Sequence, residues 1–277
     1  MSERVGFIGL GAMGLGMAAN LQKAGFVVIG YDPSAERQRM ASEVGVTMVG
    51  SAKATAEAAD TVTFCVVRTK DQALDVVLGE SGILAAQKPL TIVMSSTLDP
   101  ETVLKISEPV EKTGGRLIDA TLSGGRWGAD AGTLTLMVAG QEEFVELVRP
   151  KLEAISDRLY VVGKRPGAGQ AAKLAVQISF CIQMLAAFEA LQITKAFEID
   201  EMQLMDILTH SVGTSWTTEN WERVKPWWQF HRPGGDLEIQ LKDLRSALEE
   251  ADRENVSLPV SGLVFQLLRE VWRDSPA

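Results

Sequence analysis

Three glycines, Gly9, Gly11 and Gly14, follow the short apolar run Val5-Gly6-Phe7-Ile8 at the spacing G-x-G-x-x-G. This arrangement suits a pyrophosphate. Gly9 permits the tight turn out of a strand, Gly11 removes the side chain that would hold the backbone of Leu10 and Ala12 away from phosphate, and Gly14 lets the next helix pack on the sheet. A helix over Met13–Ala24 then offers its N-terminal amides and the positive end of its dipole to the anion. Glycine-rich turns also close ordinary strand–helix units, so the spacing alone is weak. Three neighbours strengthen it: the preceding strand, the helical apolar face Met17-Ala18-x-x-Leu21, and a second strand, Phe26–Tyr31, that ends in Asp32. Asp32 lies 18 residues beyond Gly14, where a carboxylate accepts the ribose hydroxyls of NAD and repels the 2′-phosphate of NADP. Arg37 and Arg39 follow closely and would rescue that phosphate, so NADP stays open.

Other polar residues stand at strand ends. In open parallel sheets, ligands lie beyond the carboxyl ends of the strands. Thr61–Val67 is a continuous apolar run of the kind buried on both faces, and Val67-Arg68-Thr69-Lys70 closes it where a cofactor would be touched. Thr91–Met94 ends in Ser95-Ser96-Thr97. Those hydroxyls serve nicotinamide and ribose, or they cap a helix begun near Pro100. After Leu117–Ala120 comes Thr121-Leu122-Ser123-Gly124-Gly125, in which the amides of Ser123, Gly124 and Gly125 and the Ser123 hydroxyl form a concave donor set suited to a carboxylate.

The elements that must position these residues alternate as a parallel doubly wound sheet requires. Ser34–Glu43 reads as a helix, Val46–Val49 as a short strand and Ala52–Ala59 as a helix; further on, Thr133–Ala139 is a strand, Glu142–Ile155 an amphipathic helix and Leu159–Val162 a final strand. Gly163–Gly169 is the domain boundary. It divides a Rossmann-type dinucleotide-binding domain, residues 1–163, from an all-helical substrate and dimerisation domain, residues 164–277. The fold class is therefore α/β with a C-terminal all-α domain, joined by one long helix. That helix, Gln170–Phe197, spans about 40 Å at about 1.5 Å per residue, and Met202–Ser211, Ile239–Glu254 and Val260–Trp272 follow it as helices. Its apolar length, with the tryptophans from Trp216 to Trp228, exceeds what one small helical domain covers, which implies a homodimer or larger homo-oligomer.

Composition narrows the partners. A formal net charge of −9 argues against nucleic acid and anionic membrane surfaces, which attract clustered Lys and Arg. The two cysteines, Cys65 and Cys181, sit in strand-like and helical runs and read as buried, reduced residues of a cytoplasmic protein without metal-ligand spacing. The amino terminus enters the first strand almost at once, which leaves no room for a signal peptide. The longest uncharged run, Leu174–Phe188, falls short of the roughly 20 apolar residues of a spanning helix.

Ser123-Gly124-Gly125 together with Gly167-Ala168-Gly169-Gln170-Ala171-Ala172-Lys173 resembles the 3-hydroxyisobutyrate dehydrogenase family, the β-hydroxyacid dehydrogenases, whose cousins are 6-phosphogluconate dehydrogenases and imine reductases. The resemblance runs over nearly the whole chain. Gly9-Leu10-Gly11-Ala12-Met13-Gly14 with Met17-Ala18-x-Asn20-Leu21 is similar to the family's cofactor signature, and Asp119-Ala120-x-x-Ser123-Gly124-Gly125 to its substrate loop. Lys173 falls where the family keeps its catalytic lysine, while Ser211-x-Gly213-x-x-Trp216 and Lys242-Asp243-Leu244 match two later signatures. The resemblance implies a nicotinamide cofactor, a small carboxylate-bearing substrate, and contacts from Lys242 to substrate and cofactor.

The chemistry of Lys173 also follows from the residues. Moving hydride between nicotinamide and an alcohol carbon requires a general acid/base at the oxygen. His210 and His231 are the chain's two histidines, and neither stands beside a glycine loop or strand end. Lys173 sits one turn into a helix whose next residues are uncharged, and an apolar wall disfavours the charged form of a lysine; a nearby Lys242 adds to that effect. A solvated helix lysine is the bland alternative.

Departures from the family pattern bear on the substrate. Two asparagines usually follow the lysine by three and four residues, where this chain has Val176 and Gln177; Gln177, at i+4, keeps an amide on the lysine's face. Arg126-Trp127 follows the substrate loop, with Arg126 answering a second anionic group or facing solvent. Arg68 replaces a common proline. The usual aromatic is missing from Gly234-Gly235-Asp236, and Trp227, Trp228 and Phe230 crowd upstream as core, subunit interface or pocket. An NAD-dependent β-hydroxyacid dehydrogenase or semialdehyde reductase leads. An imine reductase, of a group that generally lacks the lysine, and a non-catalytic cofactor-binding scaffold are the competing readings.

Overall fold

The structure, a computed structural model, describes residues 2–229 and 235–273. Phe230, His231, Gly234 and the side chains of Trp228 and Trp272 lie outside the described residues. The chain forms two compact units, Met1–Lys173 and Leu174–Ala277.

The first unit is built on an eight-stranded sheet of order β3-β2-β1-β4-β5-β6-β7-β8. Its elements are β1 (Arg4–Ile8), α1 (Gly14–Lys23), β2 (Val27–Tyr31), α2 (Ala35–Glu43), β3 (Thr47–Met48), α3 (Ala52–Ala58), β4 (Val62–Cys65) and α4 (Lys70–Leu78). After a short 3-10 turn at Ile83–Ala86 come β5 (Thr91–Met94), α5 (Pro100–Lys112), β6 (Arg116–Ser123), α6 (Gly125–Ala131), β7 (Leu134–Ala139), α7 (Glu142–Glu153) and β8 (Ser156–Gly163). The parallel register sets Ile8 beside Tyr31 and Cys65, and Met94 beside Cys65 and Asp119. The carboxyl ends of four strands therefore open on one edge, as the ligand rule for such sheets requires.

A wholly parallel sheet does not form. β7 runs antiparallel to β6, and β8 is parallel to β7. Only residues 124–133 separate β6 from β7, and a parallel connection takes a dozen or more residues. The central strands bury both faces. Val5, Phe7 and Phe64 pack under α1 with Met17 and Leu21, and Ile8, Cys65, Ile92 and Met94 pack on the other face with Val103 and Ile106. Phe7 and Phe64 stack with ring centroids 5.5 Å apart, which joins two neighbouring strands at their centres.

The second unit holds the rest of α8 (Ala168–Lys195) with α9 (Glu201–Thr209), α10 (Trp216–Glu219), α11 (Trp221–Gln229), α12 (Asp236–Arg253) and α13 (Pro259–Arg273). By length and composition, α8 is able to cross a membrane: it has 28 residues and a stretch of mean hydropathy 1.7. The uncharged run Leu174–Phe188 is only its middle, so that run alone understates its apolar length. Cys181 and Met184 pack with Val224, Leu244 and Leu268, and Ala187 and Leu191 with Leu204 and Trp221, the stripe of a helix built into a protein core. Ile193 at its far end is 67% exposed, and Phe197, in the turn just beyond it, is 73% exposed.

The division between the units falls after Lys173, ten residues beyond the glycine-rich boundary at 163, because the first turn of α8 is bolted to the sheet. Asp119 on β6 is fully buried. Its Oδ2 accepts from the Gly167 amide (2.8 Å) and the Gln170 amide (3.0 Å), and its Oδ1 from the Gln170 side-chain amide (3.0 Å). Gln170 also donates to Ser96 O (3.0 Å) and accepts from Leu98 N (2.8 Å), while the Thr121 hydroxyl donates to Gly169 O (2.8 Å). These bonds draw residues 164–173 into the sheet unit.

Burial pushes the Asp119 carboxyl up to about 6, against the hydrogen bonds from Gln170, Gly167 and Gly169 that pull it down. The folded value lies above the ordinary 3.8, so the folded protein binds this proton more tightly than the unfolded chain. The stability this group contributes is complete below 3.8 and is lost as pH rises through about 6. Asp119→Asn does not titrate. Urea midpoints measured from about pH 4 to about pH 7 are expected to show wild type losing stability relative to Asp119→Asn as pH rises; a constant or widening advantage for wild type would refute this.

Candidate dinucleotide and substrate site

The glycine turn has the shape its spacing implies. Gly9 adopts φ 89°, its amide donates to Tyr31 O at 3.0 Å, and a Cβ there would collide with the Val66 carbonyl. A Cβ on Gly14 would strike Gly9 O. Gly11 faces open space, with nothing within 4 Å of a Cβ placed there. This is the cradle a phosphate group needs. No side chain caps α1 and its first turn carries no acid; Leu15 N already donates to Gly11 O at 3.1 Å, so it is the amides ahead of Leu15 that suit an anion. Ala12 is exposed at the turn, whereas Met13 is half-buried against the core.

Asp32 is buried at the end of β2 and braces this turn: Oδ2 accepts from Leu10 N at 2.8 Å and Oδ1 from Ser34 N at 2.9 Å. Each oxygen keeps a second lone-pair direction for a ribose hydroxyl. Arg39 turns away to Glu43 (2.6 Å) and is 68% exposed, so neutralising a 2′-phosphate would fall to half-buried Arg37. A dinucleotide fits these residues.

At the neighbouring strand ends, the Ser96 hydroxyl accepts from Val67 N at 2.8 Å and so ties the end of β4 to the end of β5. Asp99 caps α5 through Thr102 N at 2.8 Å, which leaves Ser95, Ser96 and Thr97 out of capping. The buried Ser95 hydroxyl has no hydrogen-bond partner among the described residues. Thr97 is half-buried. Arg68 is exposed, with its amide donating to the Gln72 side chain at 3.0 Å, and Thr69 caps α4.

Half-buried Ser123 ends β6, and Gly124 and Gly125 follow, exposed, at φ 131° and 61°. Two consecutive positive φ values turn the chain directly into α6. The seven residues GRWGADA gave no helical signal, since two glycines and no capping side chain interrupt the pattern. Arg126 pairs with Asp130 at 3.4 Å with 67% of its side chain exposed, which favours the solvent reading. Trp127 lies over Gly125, its ring 3.3 Å from where a Cβ would stand.

Lys173 is 8% exposed and stands three residues beyond Gln170 on the bolted turn. In the helical unit, Gln177 Nε2 donates to Gln240 Oε1 (2.9 Å) and to Asp243 Oδ2 (2.7 Å), so α12 engages both of its amide hydrogens. Lys242 Nζ lies 2.7 Å from Asp243 Oδ1, an ion-pair contact with a carboxylate that is only 1% exposed. Trp216 and Trp227 both meet Phe180 edge-on at 5.7 Å; Trp216 is nonetheless 42% exposed and Trp227 half-buried. Burial pushes the Cys65 thiol up to about 12, which removes it from thiolate chemistry.

Sequence spacing places Asp119, Gln170 and Asp243 inside the family motifs without showing what they bond, and does not single out Gln240. The signal for Asp119 was an acid inside the apolar run Leu117-Ile118-Asp119-Ala120, a position tolerated only with buried partners.

Residues 4–163 match the family described as the NAD-binding domain of 6-phosphogluconate dehydrogenase. Residues 167–276 match that described as NAD-binding of NADP-dependent 3-hydroxyisobutyrate dehydrogenase. An L-threonate dehydrogenase from Cupriavidus necator is 33% identical over 96% of this chain and 90% of its own length. An NAD-dependent L-serine dehydrogenase from Pseudomonas aeruginosa is 32% identical over 96% of this chain and 91% of its own. Among solved structures, the Mycobacterium tuberculosis 3-hydroxyisobutyrate dehydrogenase with L-serine superposes with a TM-score of 0.87 at 28% identity, covering 99% of this chain and 95% of that one. With both segments matched and relatives of this kind similar over nearly its whole length, the chain belongs to the 3-hydroxyisobutyrate dehydrogenase family of NAD(P)-dependent β-hydroxyacid dehydrogenases.

Proposed function

We propose that this enzyme interconverts a small β-hydroxy acid and the corresponding semialdehyde, with NAD preferred and Lys173 as the general acid/base. The observation that carries the reading is a lysine 8% exposed on a helix turn fixed by Asp119 and Gln170. The bound nicotinamide supplies or accepts the hydride. Gly9, Gly11 and Gly14 receive the pyrophosphate, Asp32 the ribose, and Val67, Arg68 and Thr97 the remaining face of the cofactor. Ser123, Gly124 and Gly125 hold the substrate carboxylate. In oxidation, neutral Lys173 takes the hydroxyl proton as the carbon loses hydride and the carbonyl forms; in reduction its ammonium returns that proton to the oxygen. Within the helical unit, Asp243 accepts from Gln177 and pairs with Lys242. Relatives named for L-serine and L-threonate support a polar hydroxy acid rather than a cyclic imine, and so does the lysine that imine reductases generally lack.

Lys173→Ala is expected to lower turnover by about 10²–10⁴-fold with cofactor affinity unchanged. Lys173→Arg should not rescue it, because guanidinium keeps its proton. Retention of more than about a tenth of wild-type turnover by the alanine variant, with product release shown not to limit the rate, would eliminate the lysine mechanism. For the cofactor, Asp32→Ala should weaken NAD far more than NADP; comparable specificity constants for the two cofactors in wild type would contradict the NAD preference. For assembly, we read exposed Ile193, Phe197, Met202 and Leu263 as part of a homo-oligomer contact. A monomeric mass by light scattering at micromolar concentration would refute it.

A further inference from the structure

Asn20, which stands in the cofactor signature, is buried at 8% exposure, and its side chain turns to α6. Its Nδ2 donates to Ala129 O at 2.8 Å and to Asp130 O at 3.3 Å. These carbonyls belong to the last turn of α6, where no further helical amide is available to satisfy them. The Lys23 ammonium donates to Asn20 Oδ1 at 3.2 Å, which fixes the amide with its nitrogen toward α6. One turn earlier on the same face of α1 is Gly16. A Cβ there would lie 2.7 Å from Ala129 C and Asp130 N, so α6 rests directly on the backbone of α1. The left-handed Gly132 (φ 73°) ends α6 against the Asn20 side chain, 3.4 Å from where its own Cβ would be.

α1 starts at Gly14, the last residue of the phosphate turn, and α6 starts at Gly125, the last residue of the carboxylate-binding set. The two helices thus link the two ligand-binding turns, and Asn20 is the side chain that bonds one helix to the other. We infer that Asn20 is a positioning residue that sets where the hydroxy acid lies relative to the cofactor. This rests on the reading of Ser123, Gly124 and Gly125 as the substrate anchor. Unlike direct binding groups, a residue of this kind changes substrate KM and turnover without changing cofactor affinity, and a displacement of about 1 Å costs up to about 100-fold in rate.

Two variants test it by different routes. Asn20→Asp keeps the shape but sets a carboxylate against two carbonyls, and Gly16→Ala pries the helices apart while leaving the Asn20 side chain itself unaltered. For each, steady-state kinetics with the best hydroxy acid of a screen are compared with the NAD Kd from nucleotide fluorescence titration. Both should raise substrate KM and lower kcat/KM by up to about 100-fold, with the NAD Kd at the wild-type value. An unchanged KM in the two variants overturns the inference. A parallel loss of NAD affinity does so as well, since Asn20 would then act through the cofactor site. Failure of Asn20→Asp to fold even with saturating NAD overturns it too, because a contact the fold requires is not a positioning contact. If wild type oxidises no hydroxy acid at all, the substrate reading itself has failed, a result distinct from any of these.

Discussion

A carboxylate sealed among apolar strands is the constraint on which the sheet unit depends. Asp119 has no exposed surface, and an ion so placed is tolerated only with a full set of donors. Those donors come from Gly167 and Gln170, at the point where the chain leaves the sheet for α8. Gly169 has to be glycine, because a Cβ there would sit 2.8 to 2.9 Å from the carboxylate atoms. Satisfying one buried acid therefore determines how the long helix begins. Lys173 follows Gln170 by three residues, so its Cα is as fixed as the bolt itself.

Structural residues elsewhere in the unit carry second duties. Asp32 braces the glycine turn through Leu10 N and Ser34 N, and each of its oxygens keeps a second lone-pair direction. Ser96 ties β4 to β5 through Val67 N while its carbonyl receives Gln170. One chain of buried hydrogen bonds thus runs from the end of β4 through Ser96 and Gln170 to Asp119. Networks of this kind are stiff when every member is satisfied, the property a hydride-transfer site needs from its support.

Much of this was legible in the sequence because it is written in local patterns. The glycine spacing, the apolar strands and the acid ending β2 announced the sheet and its cofactor edge, and the change from alternating elements to helices announced a second unit. What escaped depends on pairings distant in sequence. Asp119 meets Gln170 across 51 positions, Asn20 meets Ala129 across 109, and Gln177 meets Asp243 across 66. No periodicity encodes such contacts. The reversal of β7 was hidden for another reason: strand direction depends on the length of the connection, and α6, too short and too glycine-rich to read as a helix, sits in that connection. Helical spacing places the Gln177 amide on the face of Lys173, and spacing alone does not show the bonds its nitrogen makes to α12.

The family is one of NAD(P)-dependent β-hydroxyacid dehydrogenases, and the proposed reaction is direct hydride exchange between a nicotinamide and the carbinol carbon of a hydroxy acid. The most direct measurement incubates the enzyme with NAD and a β-hydroxy acid deuterated at that carbon, then follows the label by mass spectrometry of the recovered nucleotide. Deuterium on the nicotinamide ring, equal in amount to the semialdehyde formed, is the predicted result. Absence of label transfer across a panel of such acids, alongside transfer from deuterated reduced nucleotide to a neutral cyclic imine, would contradict the account.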